Sequence, residues 1–292
     1  MTNTVRPRRS ALYMPGSNER ALEKAKSLDV DAVIFDLEDS IAPEAKPQAR
    51  EMACAAAKAG GYGRREVLVR INGLGTEWHD DDLAAVAGTD ADAVCVPKIE
   101  SAEDVMALRQ GLKKHGAPAG LAIWAMVETP LGVLNAGAIA KAGPADTNPV
   151  SVILMGTNDL AKETRAIVTP DRQAVLVWLS RCVVAARAYG LDILDGVYNN
   201  FRDEEGLRRE CEHGRLLGMD GKTLIHPSQI PVANEVFSPP GDEIAEARAI
   251  IAAFEKPENK GKGVINMDGR MVELLHRDVA LRTVAIADAI GK

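Results

Sequence analysis

Residues 122–134 read AIWAMVETPLGVL, and the reading of this stretch decides the fold. An unbroken apolar run from Ala122 to Val127 ends on Glu128, and Thr129-Pro130 then stops it. A continuous run, rather than an alternating one, is what a strand buried on both faces of a parallel sheet requires. With Leu121 the run spans 121–127, and seven others share its character: SALYM (10–14), AVIFDL (32–37), EVLVRI (66–71), DAVCVP (92–97), VSVILM (150–155), LDILD (191–195) and GKTLIH (221–226).

Amphipathic stretches separate these runs: SNERALEKAKSL, PEAKPQAREMACAAAKA, SAEDVMALRQGLKKH, TPDRQAVLVWLSRCVVAARAYG and DEEGLRRECEHGRLLG. Ser17 is the expected N-cap of the first, without the acid three residues on that would complete a capping box. SAED before VMAL is a start signal for the helix that follows. Eight strand–helix alternations in about 230 residues predict an α/β fold, a (β/α)8 TIM barrel. A doubly wound sheet is the alternative. It usually has fewer strands and often a Gly-rich first turn, whereas MPGSNERA has one glycine. After residue 235 the pattern changes. FSPPGDE, a helical DEIAEARAIIAAFE, the polar linker KPENKGKG and a last amphipathic helix predict a C-terminal helical extension over 236–292, outside the barrel of 1–235. Such an arm can lie as a lid over a neighbouring subunit.

Composition narrows the class. The chain has 292 residues, 46% of them hydrophobic, enough for one large core. No apolar run approaches the ~18 residues of a membrane span, and MTNTVRPRRS has no apolar stretch behind its arginines, so no signal peptide is expected. Cys54, Cys95, Cys182 and Cys211 are scattered without zinc spacing and read as reduced thiols of a cytoplasmic protein. A net charge of −7 and 4% aromatics argue against nucleic-acid binding. GMDGKT has Leu216 where a P-loop needs glycine, GGYGRR precedes a strand instead of following one, and no G-x-S-x-G occurs.

Barrel enzymes keep their sites at the C-terminal strand ends. Here the second run ends with Asp36, Glu38 and Asp39, the third with Arg70 and Asn72, the fourth with Lys98 and the fifth with Glu128. The sixth ends with Asn158 and Asp159, the seventh with Asp195 and the eighth with His226. One polar strand end is commonly a helix cap or a solvated rim, and seven of eight together favour a site. Glu128 and Asp159 lie on adjacent strands, where two carboxylates repel unless a cation lies between them. A hard ion that keeps open positions is Mg2+-like. Arg70 faces the same space, and its fork suits a carboxylate or an oxyanion. The structural alternatives are a helix cap for Asp159 and a strand-end ion pair for Arg70.

These residues carry a resemblance. RSALYMPGSNERALEKA, AVIFDLEDSIAPEAKPQAR, VLVRING, VCVPKIESAEDV, AMVETPLGVLNA, MGTNDLAKE, LDILDGVYNNFRDEEGL, LGMDGKTLIHPSQI and NEVFSP follow one another as in the HpcH/HpaI aldolase and citrate lyase beta-subunit superfamily, in its citrate-lyase-beta-like branch. The tail GKGVINMDGRMVELL extends the match to about residue 275. The resemblance implies a (β/α)8 barrel that forms homotrimers or hexamers, binds Mg2+ and acts on short hydroxy-acyl coenzyme A thioesters. It implies Glu128 and Asp159 as metal ligands and Arg70 as a substrate contact. Glu38 and Asp39 stand behind them, and Gly156, Thr157 and Asn158 border the substrate. Pro15, Gly16 and Lys24 are implied as coenzyme contacts. The pyruvate-aldolase branch has a His after the second strand, where this chain has LEDSIAP.

Many relatives carry an acid in an M-[IV]-D-x-P tail segment that protonates an enolate. Here RMVELLH places Glu273 where the Asp stands and Leu275 where the Pro stands. The expected activity is Mg2+-dependent carbon–carbon cleavage of a malyl-CoA-like or citryl-CoA-like thioester to acetyl-CoA and an oxo acid. The alternatives are a malyl-CoA thioesterase at the same site, with Glu273 as base for water, or the beta subunit of a citrate lyase that needs an acyl-carrier partner. A barrel that binds ligand without catalysis is disfavoured by the joint presence of Arg70, Glu128 and Asp159.

Overall fold

The computed structural model describes residues 5–267 and 269–292. Residues 1–4 of the basic opening stretch and Asp268 of the tail lie outside them. Two compact units are present: Arg8–Asn234, and Glu235–Lys292 with the described part of Met1–Pro7.

The first unit is a closed barrel of eight parallel strands in sequential order. They are β1 (Ser10–Pro15), β2 (Ala32–Asp36), β3 (Glu66–Arg70), β4 (Ala93–Val96), β5 (Ala122–Val127), β6 (Val150–Met155), β7 (Asp192–Asp195) and β8 (Gly221–Leu224). Each falls within an expected run, save that β1 continues one residue past its run to Pro15, and closure of β8 onto β1 rules out the open sheet. Helices α1 (Glu19–Ala25), α2 (Lys46–Ala59), α3 (His79–Ala87), α4 (Ala102–Lys114), α5 (Pro130–Leu134) and α6 (Ala136–Ala142) connect the first six strands. Next come α7 (Thr157–Thr164), α8 (Leu176–Ala188), α9 (Glu204–Leu216) and α10 (Ile230–Val236).

The unbroken apolar runs are explained by burial on both faces: every residue of β2, β3 and β4 is buried. Inside the barrel the fully buried Trp124 fills space left by Ala11, Ala32 and Ala93, with Ile34, Leu68 and Leu154 around it. Large side chains set against small ones produce the dense interior that barrels require. Below this core the Arg8 guanidinium lies 5.4 Å from the Trp124 ring and pairs with Glu66 and Asp192 at 2.7 and 2.6 Å. The lower end of the barrel is thus plugged. The four cysteines are buried and free.

Two helix starts differ from expectation. The first helix is capped by Asn18, not Ser17; the Asn18 side chain accepts from the Ala21 amide. Gly16 N–H still donates to the Asp36 carbonyl, which carries the sheet one residue further and delays the helix. The stretch TPDRQAV is not the front of a long helix. Arg172 takes a left-handed conformation (φ 56°) and sends its guanidinium to Asp195, so α8 begins at Leu176. SAED does start α4, with a capping box between Ser101 and Asp104.

In the second unit, α11 (Gly241–Glu255) and α12 (Leu274–Ala289) pack around Ile250, Phe254, Ile265 and Val272. Between them runs an antiparallel pair, β9 (Val264–Met267) and β10 (Arg270–Glu273), so the extension is helical with a hairpin inserted. No helix among the described residues is long and apolar enough to cross a membrane.

Candidate active site

A cavity of about 370 Å³ opens at the C-terminal ends of the strands. Its walls hold Asp36 and Asp39 after β2, Arg70 from β3, Glu128 after β5, and the segment from Gly156 to Asp159 after β6. Tyr13 and Pro15 of β1, Met126, Met155, Thr223 and Ile225 complete much of the lining.

Arg70 is buried and already engaged. Its Nε and Nη2 donate to the two oxygens of Asp36 at 2.6 and 2.7 Å. The ion pair and the site residue are therefore the same residue, and the guanidinium is held rigid. Nη1 is the arm left over: it lies 2.8 Å from Glu38 Oε2, without the alignment of a hydrogen bond, and 3.4 Å from Asp39. The Arg70 guanidinium also lies 4.7 Å from the centre of the Tyr13 ring. Burial works to raise the Asp36 carboxyl, but the charge and hydrogen bonds of Arg70 reverse this and hold it below its usual range. Glu38 is raised by burial despite Arg70 and Lys98.

Glu128 is 2% exposed. Burial first, then the charges of Glu38 and Asp159, push its carboxyl up to about 7. Its Oε1 accepts from the Lys98 backbone N–H at 3.0 Å. Lys98 can aim that N–H there because it adopts a left-handed φ of 53°, a strained state for a residue with a side chain. The Lys98 ammonium turns to Glu38 Oε1 at 2.9 Å. Gly156 fits between Glu128 and α7 only because it lacks a side chain: a Cβ there would overlap Glu128 Cβ and Oε2. Asp159 stands in the first turn of α7, whose N-cap is Gly156, so it is not the cap.

No group of three or more His, Cys, Asp or Glu residues that could hold a metal occurs among the described residues. Two carboxylates suffice for an ion that takes most of its oxygens from water and substrate. The donor set fits such an ion: Glu128 and Asp159 line one cavity, and Glu128 carries charge that its surroundings penalise.

Several expected residues are thus brought together: Arg70, Glu38, Asp39, Glu128, Gly156, Thr157, Asn158, Asp159 and Pro15. Gly16 lies directly beneath, its Cβ position filled by the Asp36 carbonyl and Leu37. Others are not brought in. Lys24 is exposed in the last turn of α1, because Leu22 and Ala25 take the buried face of that helix. Asp195 is fully buried away from the cavity, paired with Arg172 at 2.6 Å and Lys222 at 3.1 Å. His226 stacks on Phe201 and accepts from the Ser228 amide. Glu273 belongs to the second unit, where it is the exposed N-cap residue of α12 and its N–H donates to His276 Nδ1. Tyr13 and the Lys98 amide escape a reading of strand ends: Tyr13 is within a run rather than at its end, and the Lys98 amide acts through its backbone conformation.

The profile of the family described as HpcH/HpaI aldolase/citrate lyase matches residues 9–227. The chain is 52% identical over 291 residues to a (3S)-malyl-CoA thioesterase of Cereibacter sphaeroides, covering 100% of this chain and 98% of the relative. It is 36% identical to citrate lyase subunit beta of Leuconostoc mesenteroides, over 96% of this chain and 92% of that one. The solved protein CitE from Mycobacterium tuberculosis, in complex with magnesium, acetoacetate and coenzyme A, superposes with a TM-score of 0.73 at 31% identity, over 95% of this chain and 97% of that chain. With the barrel, the acid-lined cavity and these matches in agreement, the chain belongs to the HpcH/HpaI aldolase/citrate lyase family.

Proposed function

We propose that the chain is a Mg2+-dependent thioesterase that hydrolyses a (3S)-malyl-CoA-type thioester to the free hydroxy acid and coenzyme A. The observation that carries this reading is the likeness to malyl-CoA thioesterases, which runs the whole length of the chain, tail included, and exceeds the likeness to lyases. Glu128 and Asp159 would hold the ion, with Gly156 giving Glu128 its room and the Lys98 amide fixing its orientation. Bound there, the ion supplies a Lewis acid that draws charge from an oxygen of the substrate. Arg70, locked on Asp36, presents Nη1 to the oxygen that gains charge as the thioester carbonyl is attacked. Water adds to that carbonyl carbon, the carbon–sulfur bond breaks, and a carboxylate takes the proton. Glu273 is the proposed acceptor, supplied by a tail that lies over the site of a neighbouring copy in a homotrimer or hexamer. Pro15 and Gly16 border the path proposed for the coenzyme.

A second reading is carbon–carbon cleavage of the same thioester to acetyl-CoA and an oxo acid, favoured by the full-length likeness to a citrate lyase beta subunit. Incubation of the purified protein with malyl-CoA and Mg2+ separates the two. Malate with free thiol is expected. Glyoxylate with acetyl-CoA identifies the lyase, and no product from malyl-CoA overturns both.

A further inference from the structure

Tyr13 is a phenol with an unusual environment. It projects inward from β1 between the filled barrel core and Pro15, and it lines the cavity. Its ring is fixed beneath the Arg70 guanidinium. Yet its hydroxyl has no oxygen or nitrogen partner among the described residues; the contact it makes is with the Met126 thioether, 3.8 Å away. A thioether is a weak acceptor, and Tyr13, half-buried in the cavity wall, leaves its hydroxyl short of a full partner. A donor without one costs free energy unless a ligand or water completes it.

The hydroxyl's place limits what completes it. The coenzyme portion of a thioester is far too large for the floor of a 370 Å³ cavity, so the small acid end must reach down to Tyr13. We propose that Tyr13 is a substrate-binding residue whose hydroxyl donates a hydrogen bond to a carboxylate or hydroxyl oxygen at the small-acid end of the bound thioester. The inference rests on the thioesterase reading for the identity of the acid, but not for the role of the phenol.

Tyr13→Phe removes the hydroxyl alone, and binding is measured by calorimetric titration of malate and of glyoxylate in Mg2+ buffer. Affinity for one of these acids should fall roughly tenfold or more, as for loss of a hydrogen bond to a charged group. KM for malyl-CoA should rise more than kcat falls. Thermal stability of the ligand-free protein should be unchanged or higher, because the deleted group had no polar partner. Unchanged affinity for both acids overturns the proposal. A drop in stability alongside lost affinity also overturns it, since the phenol would then be structural. Failure of the wild type to turn over malyl-CoA sinks the functional reading, yet the acid titration still decides Tyr13. A wild type that binds neither acid overturns the Tyr13 proposal, while turnover of malyl-CoA still decides the functional reading.

Discussion

At the scale of single residues, the site is built on constraint. Glu128 keeps its orientation through one backbone amide and the absence of one methyl group. Glu128→Ala and Asp159→Ala should each remove Mg2+ dependence and activity while leaving the melting temperature close to wild type. Full activity in both would remove the metal site from the account. Gly156→Ala should displace Glu128 and weaken Mg2+ binding on the order of 10–100-fold, as losses of supporting contacts do. A titration that matches wild type would show that the neighbouring turn simply shifts. The acids themselves were legible in the sequence, because each follows an apolar run. The Lys98 amide was not, since a left-handed backbone angle leaves no mark on a residue with a side chain. Nor was the Arg70–Asp36 pair, which depends on the register of β2 against β3.

At the scale of elements, the apolar runs located every barrel strand, because burial on both faces leaves no polar alternation to misread. Ends were less legible where tertiary partners decide them. Arg172 leaves a helical pattern to reach Asp195, and Asp195 leaves the cavity to meet Arg172 and Lys222. Lys222 also donates to the Gly196 carbonyl at 2.5 Å, so this buried cluster anchors the segment after β7 that carries Val197 and Asn199 into the cavity. Burial alone would raise the Asp195 carboxyl, but Lys222 and Arg172 hold it below the ordinary range. Its folded-state pKa is thus lower than its unfolded one. Its stabilising contribution is complete above the unfolded value of about 3.9 and is lost as pH falls through the folded value. Asp195→Asn leaves two buried cations short of a partner and should cost about 3–5 kcal/mol at pH 7. Denaturant unfolding should show that cost shrinking below about pH 4. An equal deficit at low pH would contradict the assignment.

At the scale of the molecule, two compact units divide the work that the proposed reaction needs. The barrel holds the cavity, and the smaller unit holds Glu273. Glu273→Ala should lower turnover while leaving Mg2+ affinity unchanged; kinetics identical to wild type would reduce the tail to a structural role. A carboxylate at this position was legible in the sequence, because Glu273 stands in a short motif; a role for it in the proposed reaction was not, because no strand end or turn of the barrel carries it.

The plugged barrel has a kinetic consequence. With Arg8, Glu66 and Asp192 closing the lower end and Trp124 filling the middle, the cavity is a blind well. Whatever rests on its floor departs last, after the bulky coenzyme has cleared the opening. Product inhibition should record that queue: the small acid competes with malyl-CoA, and the coenzyme product gives a noncompetitive pattern. Competitive inhibition by both products would require a second exit that the packed interior does not provide.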